Sequence, residues 1–336
     1  MQKKTFRFSN ASVDYYFSGG VQHLKQVVDQ KNTIIVTDEN VFSAHQKRFK
    51  NWNTIVLKPG EEYKIQATVD AVIGQLIEMK ADRTTTLIGV GGGVVTDLTG
   101  YVASVYMRGI RFGFIPTTLL SLVDASIGGK NGIDVGVYKN MVGIIRQPSF
   151  ILHDLIFLNT LPENEWRNGF AEIIKHACIK DAVMFRELEK NNLVFYQKRR
   201  KEVCSLIQRN ALLKTKVVQQ DEFEQGNRKL LNFGHTLGHA LENQYGLSHG
   251  EAISIGMAYA SVLSEKIKGF KQTSRVVQAL ENYGLPTLAE FDKDKVMNVL
   301  KMDKKKVNDS INFILLEKIG KALIQKISID QLYESL

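Results

Sequence analysis

Residues 84–100 read TTTLIGVGGGVVTDLTG, and this stretch decides the fold. An apolar run at 84–90 ends in Gly91-Gly92-Gly93, and the residues from Val94 onward are typical of a helix start. Glycines let a backbone approach a pyrophosphate closely, and a helix start offers N–H donors. A tight turn without a ligand is the competing interpretation, because Val94 stands where the GxGxxG fingerprint has its last glycine.

The rest of the first half repeats this alternation of strand and helix. Asp38 follows one predicted strand, where an acidic side chain can hold a ribose hydroxyl; it favours NAD over NADP because it would repel a 2′-phosphate. Alternating elements of this kind predict a parallel, doubly wound sheet, and the two features together predict a dinucleotide site. The predicted strands are 33–37, 54–57, 84–90 and 112–116, with helices at 66–80 and 94–107.

The second half has a different pattern. From about Glu163, apolar residues recur every three or four positions, and strand-like runs are rare until 311–316. This spacing predicts a mainly helical domain. The 336 residues suffice for two domains, which we place at 1–158 and 159–336.

Composition narrows the class of protein. Cys178 and Cys204 do not form a CxxC pair, so we expect no disulfide framework and a cytoplasmic location. No apolar run approaches the roughly 20 residues that cross a bilayer, so no membrane partner is expected. The net charge is +9, but no nucleic-acid-binding motif accompanies the basic residues. A small anionic substrate is therefore favoured over nucleic acid.

A polar segment follows the fourth predicted strand. It contains Asp124, Lys130 and the pair Lys139-Asn140, and apolar runs at 119–120 and 141–145 flank it. Charged groups embedded between apolar runs are usually paired or used in chemistry, although an ordinary surface loop has a similar composition.

Histidines and a glutamate in the second half offer metal ligands. His235 and His239 lie one helical turn apart, His249 begins the next helical run, and Glu172 precedes them. Two histidines and a carboxylate form a catalytic zinc set with one open position. Spacing alone does not choose among the histidines, and a core or capping role is the ordinary alternative for each.

Six segments together resemble the 3-dehydroquinate synthases of the sugar phosphate cyclase superfamily. In order they are GVGGGVVTDLTGYVASVYMRG, IPTTLLSLVDASIGGKNGI, YKNMVG, FAEIIKHA, LLNFGHTLGHALE and HGEAISIGMA. The resemblance extends from about Asp38 to Lys306. It implies an α/β N-terminal Rossmann-like parallel-sheet domain followed by a mainly α-helical C-terminal domain, in a homodimer.

The resemblance also implies a reaction. It is the conversion of 3-deoxy-D-arabino-heptulosonate 7-phosphate, a small anionic sugar phosphate, to 3-dehydroquinate and phosphate in the shikimate pathway. NAD and Zn²⁺ or Co²⁺ are the implied cofactors. The steps are transient oxidation, β-elimination of phosphate, reduction, ring opening and an intramolecular aldol closure.

Site residues carry over from the family pattern position by position. The implied metal ligands are Glu172, His235 and His249, which makes His239 a substrate contact. The implied NAD contacts are Asp38, Glu61, Lys64, Gly91, Gly92, Gly93, Asp97, Thr117, Thr118, Lys139 and Thr160. The implied catalytic and substrate-binding residues are Asp124, Lys130, Lys175, His239, Asn140, Arg108, Lys214, Arg228, Asn232 and Lys304.

The chain departs from the family pattern in places. Tyr138 stands where the family has glycine or leucine, and the loop 133–137 differs from the commoner Val-Asn-x-Pro type. A sibling cyclase acting on another sugar phosphate would keep NAD and metal but change the substrate contacts. A metal-dependent polyol dehydrogenase would lack the phosphate and carboxylate contacts, and a nucleic-acid-binding protein would show salt-dependent binding.

Overall fold

The computed structural model describes residues 2–136, 138–302, 306–307 and 310–335. The chain forms two compact units: the first contains Met1–Glu165 and Ile207–Phe223, and the second contains Trp166–Leu206 and Glu224–Leu336. The sequence predicted a single division near residue 158, with everything after it in the second domain. The segment 207–223 instead belongs to the first unit, because Ala211 and Leu212 pack in the same hydrophobic core as Leu87 of the sheet.

The first unit is built on a seven-stranded sheet with helices between its strands. Its elements are β1 Gln2–Arg7, β2 Ser12–Phe17, β3 Thr33–Asp38, α1 Glu39–Phe49, β4 Asn53–Leu57, α2 Gln66–Glu78, β5 Thr86–Gly91, α3 Gly93–Val105, β6 Arg111–Pro116, β7 Lys130–Val135, β8 Tyr138–Ile145 and β9 Phe150–Leu152. The sheet order is β1-β2-β9-β6-β5-β3-β4, and among these strands only β1 and β2 are antiparallel. The four strands and two helices predicted for this region are confirmed as β3 to β6, α2 and α3.

Both faces of the sheet are covered, which explains the unbroken apolar runs. In β3, Ile34 and Val36 enter one core cluster while Ile35 enters the other. A parallel strand buried on both faces needs apolar residues at every position. In β5, a Cβ atom on Gly89 would lie 2.9 Å from Oγ1 of Thr99, so glycine allows α3 to pack directly against the strand.

The strands β7 and β8 form a separate antiparallel hairpin. β7 is largely buried and packs against α3. β8 faces outward, with Tyr138, Met141 and Ile144 exposed to 53%, 45% and 40%. The run 141–145, which flanks the polar segment, is therefore apolar in sequence but largely exposed in the structure. In the described part of the chain β8 pairs with β7 alone.

The second unit is mainly helical, as predicted. The remaining elements are α4 Glu163–Lys180, α5 Ala182–Glu189, α6 Leu193–Lys198, α7 Arg200–Gln220, α8 His235–Tyr245, α9 His249–Lys268, α10 Thr273–Asn282, α11 Lys293–Met302, β10 Lys306–Val307, β11 Ser310–Lys318, β12 Lys321–Ser328 and α12 Ile329–Ser335. β10, β11 and β12 form an antiparallel sheet that packs on α9 through β11. The predicted run 311–316 lies in β11, whereas β12 was not predicted because its exposed residues interrupt the apolar pattern.

Glycines bring α8 and α9 unusually close together. A Cβ atom on Gly256 of α9 would overlap the carbonyl oxygen of Gly234, at the N-cap of α8. A Cβ atom on Gly238 would lie 2.9 Å from the carbonyl oxygen of Ala252. The close packing sets the relative positions of the first residues of the two helices, His235 and His249. In the described part of the chain, no helix has the length and apolar character that crossing a membrane requires.

Candidate functional site

The glycine turn of the first unit joins β5 to α3 as the sequence predicted. Gly91 ends β5, Gly92 takes the N-cap position and α3 begins at Gly93. A Cβ atom on Gly91 would lie 2.5 Å from the side chain of Val95, which excludes larger residues. The first N–H groups of any helix lack intrahelical acceptors, so this turn is suited to a phosphate group.

Two threonines after β6 border the glycine turn. The N–H of Thr117 donates to the carbonyl oxygen of Gly91 at 3.0 Å. A Cβ atom on Gly92 would lie 3.1 Å from the side chain of Thr118. Parallel pairing of β5 and β6 brings these ends to one edge of the sheet. The structure thus brings five of the predicted NAD contacts together.

Asp38 and Thr160 lie at the ends of two other elements of this unit. Asp38 ends β3, and its carboxylate accepts the N–H of Val41 at 2.9 Å, which caps α1. Burial raises the pKa of Asp38, and backbone hydrogen bonds oppose that shift. Oγ1 of Thr160 lies 2.7 Å from Nε2 of His45 in α1. Sequence reasoning gave His45 no role.

A buried lysine gathers three further predicted residues. Nζ of Lys64 lies 2.6 Å from a carboxylate oxygen of Asp97 and 3.8 Å from one of Glu61, and it donates to Oδ1 of Asn140 at 2.7 Å. Burial disfavours the ammonium, but Asp97, Glu61 and Asp134 together raise the pKa of Lys64 above its ordinary value. The Lys64 side chain is therefore a fixed positive charge.

Asp124 and Lys214 form a second ion pair of the first unit. Nζ of Lys214 lies 2.8 Å from Oδ1 of Asp124 and also donates to its backbone carbonyl at 2.8 Å. Asp124 lies in a short helical turn, Ser121–Ala125, which adjoins the glycine turn because a Cβ atom on Gly93 would contact Ala125 at 3.4 Å. Lys214 lies in the part of α7 that belongs to the first unit, within Ile207–Phe223.

Three metal-ligand side chains converge in the second unit. Oε1 of Glu172 lies 3.1 Å from Nε2 of His249 and 3.5 Å from Nε2 of His235. One ligand atom from each residue lies within 4.8 Å of the others. Two imidazoles and a carboxylate are ligands that Zn²⁺ and Co²⁺ both accept, and three protein ligands leave a position open. The geometry therefore fits the ion that the sequence implied.

Other charged groups surround this triad. Glu172 is fully buried and forms an ion pair with the buried Lys175. An oxygen of Glu242 lies 3.7 Å from Nδ1 of His249. Burial disfavours protonation of His249, but Glu172 and Glu242 together raise its pKa to about 9. The ring of His239 lies one turn beyond His235, at 5.1 Å between centroids, and is not part of the triad.

The remaining predicted residues have varied surroundings. Nδ2 of Asn232 donates to Glu224 at 2.6 Å, and Arg228 is buried beside it in the same short helical segment. Lys130 is exposed at the start of β7, and Lys139 is partly exposed in β8. Arg108 is exposed and has a left-handed backbone, with φ of 67°. The predicted contact Lys304 lies outside the described residues.

Besides His45 and Glu224, sequence reasoning missed Glu242 and Asp134, which also contact residues of the predicted set. Glu242 faces His249, and the only signal for it is its place one helical turn after His239. Asp134 accepts the backbone N–H of Asn140 at 2.6 Å, and its signal is the departure of the loop 133–137 from the family pattern.

Comparison with known proteins places this geometry in a family. The sequence profile described as 3-dehydroquinate synthase N-terminal matches residues 54–168, and the one described as 3-dehydroquinate synthase C-terminal matches residues 169–306. The 3-dehydroquinate synthase of Bacillus cytotoxicus is 39% identical over 328 residues, covering 94% of this chain and 88% of that protein. The 3-dehydroquinate synthase of Nitratiruptor sp. is 39% identical over 336 residues, covering 96% and 95%.

Solved structures show the same fold. A 2-epi-5-epi-valiolone synthase from Streptomyces hygroscopicus, with NAD⁺ and Zn²⁺ bound, superposes with a TM-score of 0.89 at 27% identity, covering 99% of this chain and 98% of that one. A 2-deoxy-scyllo-inosose synthase complexed with carbaglucose-6-phosphate, NAD⁺ and Co²⁺ gives a TM-score of 0.87 at 24% identity, with the same coverage, which supports the fold alone. From the two profiles and the relatives at 39% identity, the chain belongs to the 3-dehydroquinate synthase family.

Proposed function

We propose that the chain is a 3-dehydroquinate synthase of the shikimate pathway. It converts 3-deoxy-D-arabino-heptulosonate 7-phosphate to 3-dehydroquinate and phosphate, with NAD and Zn²⁺ or Co²⁺ as cofactors. The observation that carries the proposal is the convergence of Glu172, His235 and His249 in a member of this family. Relatives at 39% identity favour this substrate over those of the sibling cyclases.

The first unit supplies the proposed NAD site. NAD⁺ bound there would accept a hydride from the carbon that carries a ring hydroxyl and would later return it, so the reaction would consume no net NAD. The glycine turn suits the pyrophosphate, and Asp38 suits a ribose hydroxyl. Lys64 keeps its charge through Asp97 and Glu61. The proposed contacts are Asp38, Glu61, Lys64, Gly91, Gly92, Gly93, Asp97, Thr117, Thr118, Lys139 and Thr160.

The second unit supplies the proposed metal site. A divalent ion held by Glu172, His235 and His249 would polarise adjacent substrate hydroxyls and favour loss of a proton from the one to be oxidised. Lys175 pairs with Glu172, so it helps to hold that carboxylate in place. We propose that Lys175 also relays protons to and from the reacting hydroxyls.

Polar side chains hold the two anionic ends of the proposed substrate. Cationic and amide donors match a phosphate, and Lys214 and Arg228 match a carboxylate. Asp124, fixed by Lys214, orients the reacting hydroxyls. The leaving phosphate itself takes the proton during β-elimination. The proposed phosphate contacts are Arg108, Lys130, Asn232, His239 and Lys304, and Asn140 contributes an amide.

A phosphate-release assay tests the function directly. The purified chain is incubated with the heptulosonate phosphate, NAD⁺ and Zn²⁺ or Co²⁺, and the product is identified. We expect phosphate release and dehydroquinate without accumulation of NADH. Steady NADH formation from simple polyols without phosphate release would assign the chain to the dehydrogenases instead.

Two histidines of α8 form a matched pair of variants for the metal site. His235→Ala removes a proposed ligand, so we expect loss of bound metal and of activity. His239→Ala removes only a proposed substrate contact, so bound metal should remain while activity falls. Metal content measured by atomic emission separates the two, and loss of metal from His239→Ala would contradict the ligand assignment.

We propose further that the chain forms a homodimer through β8. This strand exposes Tyr138, Met141 and Ile144, and in the described part of the chain its outer edge has no strand partner. An exposed apolar edge strand is a ready surface for a second copy. Light scattering of the wild-type protein should give twice the mass of one chain, and light scattering of Met141→Lys should give the mass of a single chain.

We propose a cytoplasmic location because Cys178 and Cys204 are both free thiols.

A further inference from the structure

Three residues of the first unit close a ring of hydrogen bonds. The backbone N–H of Asp134 donates to the carbonyl oxygen of Lys64 at 2.8 Å. Oδ1 of Asp134 accepts the backbone N–H of Asn140 at 2.6 Å, and Oδ1 of Asn140 accepts from Nζ of Lys64 at 2.7 Å. The three residues lie in separate elements: a turn before α2, the strand β7 and the strand β8. The ring therefore ties the hairpin to the lysine by both backbone and side chain.

The ring of hydrogen bonds stabilises an unusual backbone conformation at Asn140. Asn140 has φ of 54°, in the left-handed region, and the pairing of β7 and β8 shifts register between Ile133 and Val135. A non-glycine residue keeps this conformation only where its surroundings hold it. The carboxylate of Asp134 accepts the N–H of this residue, and hydrogen bonds to a charged acceptor are stronger than neutral ones. Asp134 thus stabilises the conformation that directs Asn140 toward Lys64.

Asp134 is far less accessible than Asn140. Its side chain is buried, at 8% exposure for the residue, whereas Asn140 is exposed. With its oxygen held by Lys64, the Asn140 amide keeps its N–H₂ group as a donor. Lys64 in turn is held between Asp97 and Asn140. Asp134 therefore acts on both side chains from a buried position.

We propose that Asp134 is a positioning residue that fixes Asn140 and Lys64 in the orientations they need to bind NAD and substrate. This inference rests on the proposed function, which gives Lys64 an NAD contact and Asn140 a substrate contact. Sequence comparison with the family showed only that the loop 133–137 differs from the commoner type. The hydrogen-bond ring supplies the reason for an acidic residue in that loop.

Calorimetric titration with NAD⁺ tests the proposal independently of turnover. Asp134→Ala removes the acceptor for the Asn140 N–H, so we expect the NAD⁺ dissociation constant to rise on the order of tenfold, as for loss of one charged hydrogen bond. Asp134→Asn keeps an oxygen acceptor, so its constant should stay within about threefold of wild type. A tenfold loss in Asp134→Asn, or none in Asp134→Ala, would overturn the proposal.

A control for stability and a double variant complete the design. Asp181 also accepts a backbone N–H, that of Met184 at 3.0 Å, at the start of α5 in the second unit. Asp181→Ala should lower the melting temperature as Asp134→Ala does but leave NAD⁺ affinity unchanged. In an Asn140→Ala background, Asp134→Ala should weaken NAD⁺ binding no further, and additive losses would contradict action through Asn140. Failure of the wild-type chain to bind NAD⁺ would overturn the proposed function itself.

Discussion

The carboxylate of Glu242 lies 3.7 Å from Nδ1 of His249, on the side of the ring opposite Glu172. A carboxylate in that place fixes the tautomer of a ligating histidine and raises its basicity. We expect Glu242→Gln to weaken zinc binding by about 10- to 100-fold, the usual effect of losing such a partner. Competition with a chromophoric chelator measures the affinity.

The control for Glu242→Gln is a glutamate with a different task. The carboxylate of Glu281 accepts from Thr287 on the surface. Glu281→Gln should leave zinc affinity unchanged. Equal affinities in Glu242→Gln and the wild type would show that Glu242 does not orient His249.

For single residues, the sequence indicated the candidate site residues more readily than it indicated the partners of those residues. Residue spacing left His235, His239 and His249 equivalent, and resemblance to a family separated them. The structure groups His235 and His249 with Glu172 because the helices that carry the two histidines, α8 and α9, pack against each other, which no spacing within one helix reveals. Contacts across long separations, such as Lys64 with Asn140, depend on tertiary folding and leave no local pattern.

The closeness of α8 and α9 is a property of two elements, and Gly256 maintains it. A Cβ atom on Gly256 would overlap the Gly234 carbonyl oxygen, so Gly256→Ala should push the start of α8 away from α9. We expect weaker zinc binding and a lower melting temperature. Gly74→Ala in α2 is the matched control, because a Cβ atom there meets nothing within 4 Å. Alanine is favoured over glycine inside a helix by about 1 kcal/mol, so Gly74→Ala should not destabilise the protein.

Helices and strands were predictable where the spacing of apolar residues was regular and the burial of the element was uniform along its length. The strands β3 to β6 are apolar throughout because both sheet faces are covered. The hairpin of β7 and β8 was not predicted, because its glycines and polar residues interrupt the pattern and β8 has an exposed face. The helical spacing of α7 predicted a helix correctly, but periodicity cannot tell which core a helix joins. That limit is why the return of 207–223 to the first unit was not predicted.

Acid stability is a property of the whole molecule to which one buried histidine contributes. His153 is 2% exposed, its ring stacks on Phe17 at 4.8 Å, and burial lowers its pKa from 6.5 to about 4. Between these two pH values His153 therefore binds a proton in the unfolded chain but not in the folded chain. The contribution of His153 to the free energy of unfolding is fully present above pH 6.5 and is lost as the pH drops from about 6.5 to about 4. The total loss is about 3 kcal/mol, at roughly 1.4 kcal/mol per pKa unit.

Thermal melting of His153→Phe measures this contribution. Phenylalanine has no proton to bind, so the difference between melting temperatures at pH 7.5 and pH 5 should be smaller than in the wild type. Other histidines titrate alike in both proteins, so comparison of the two differences isolates His153. An unchanged difference would show that His153 does not contribute to the acid sensitivity.

The passage of α7 between the two units has a consequence for how such enzymes can be recombined. The family profiles meet at residues 168 and 169, which suggests a natural point for exchanging halves between relatives. A graft made there would take Lys214, the ion-pair partner of Asp124, from the wrong parent. A working chimera therefore needs two additional junctions, near Ile207 and Phe223, so that the inserted segment travels with the sheet it packs against.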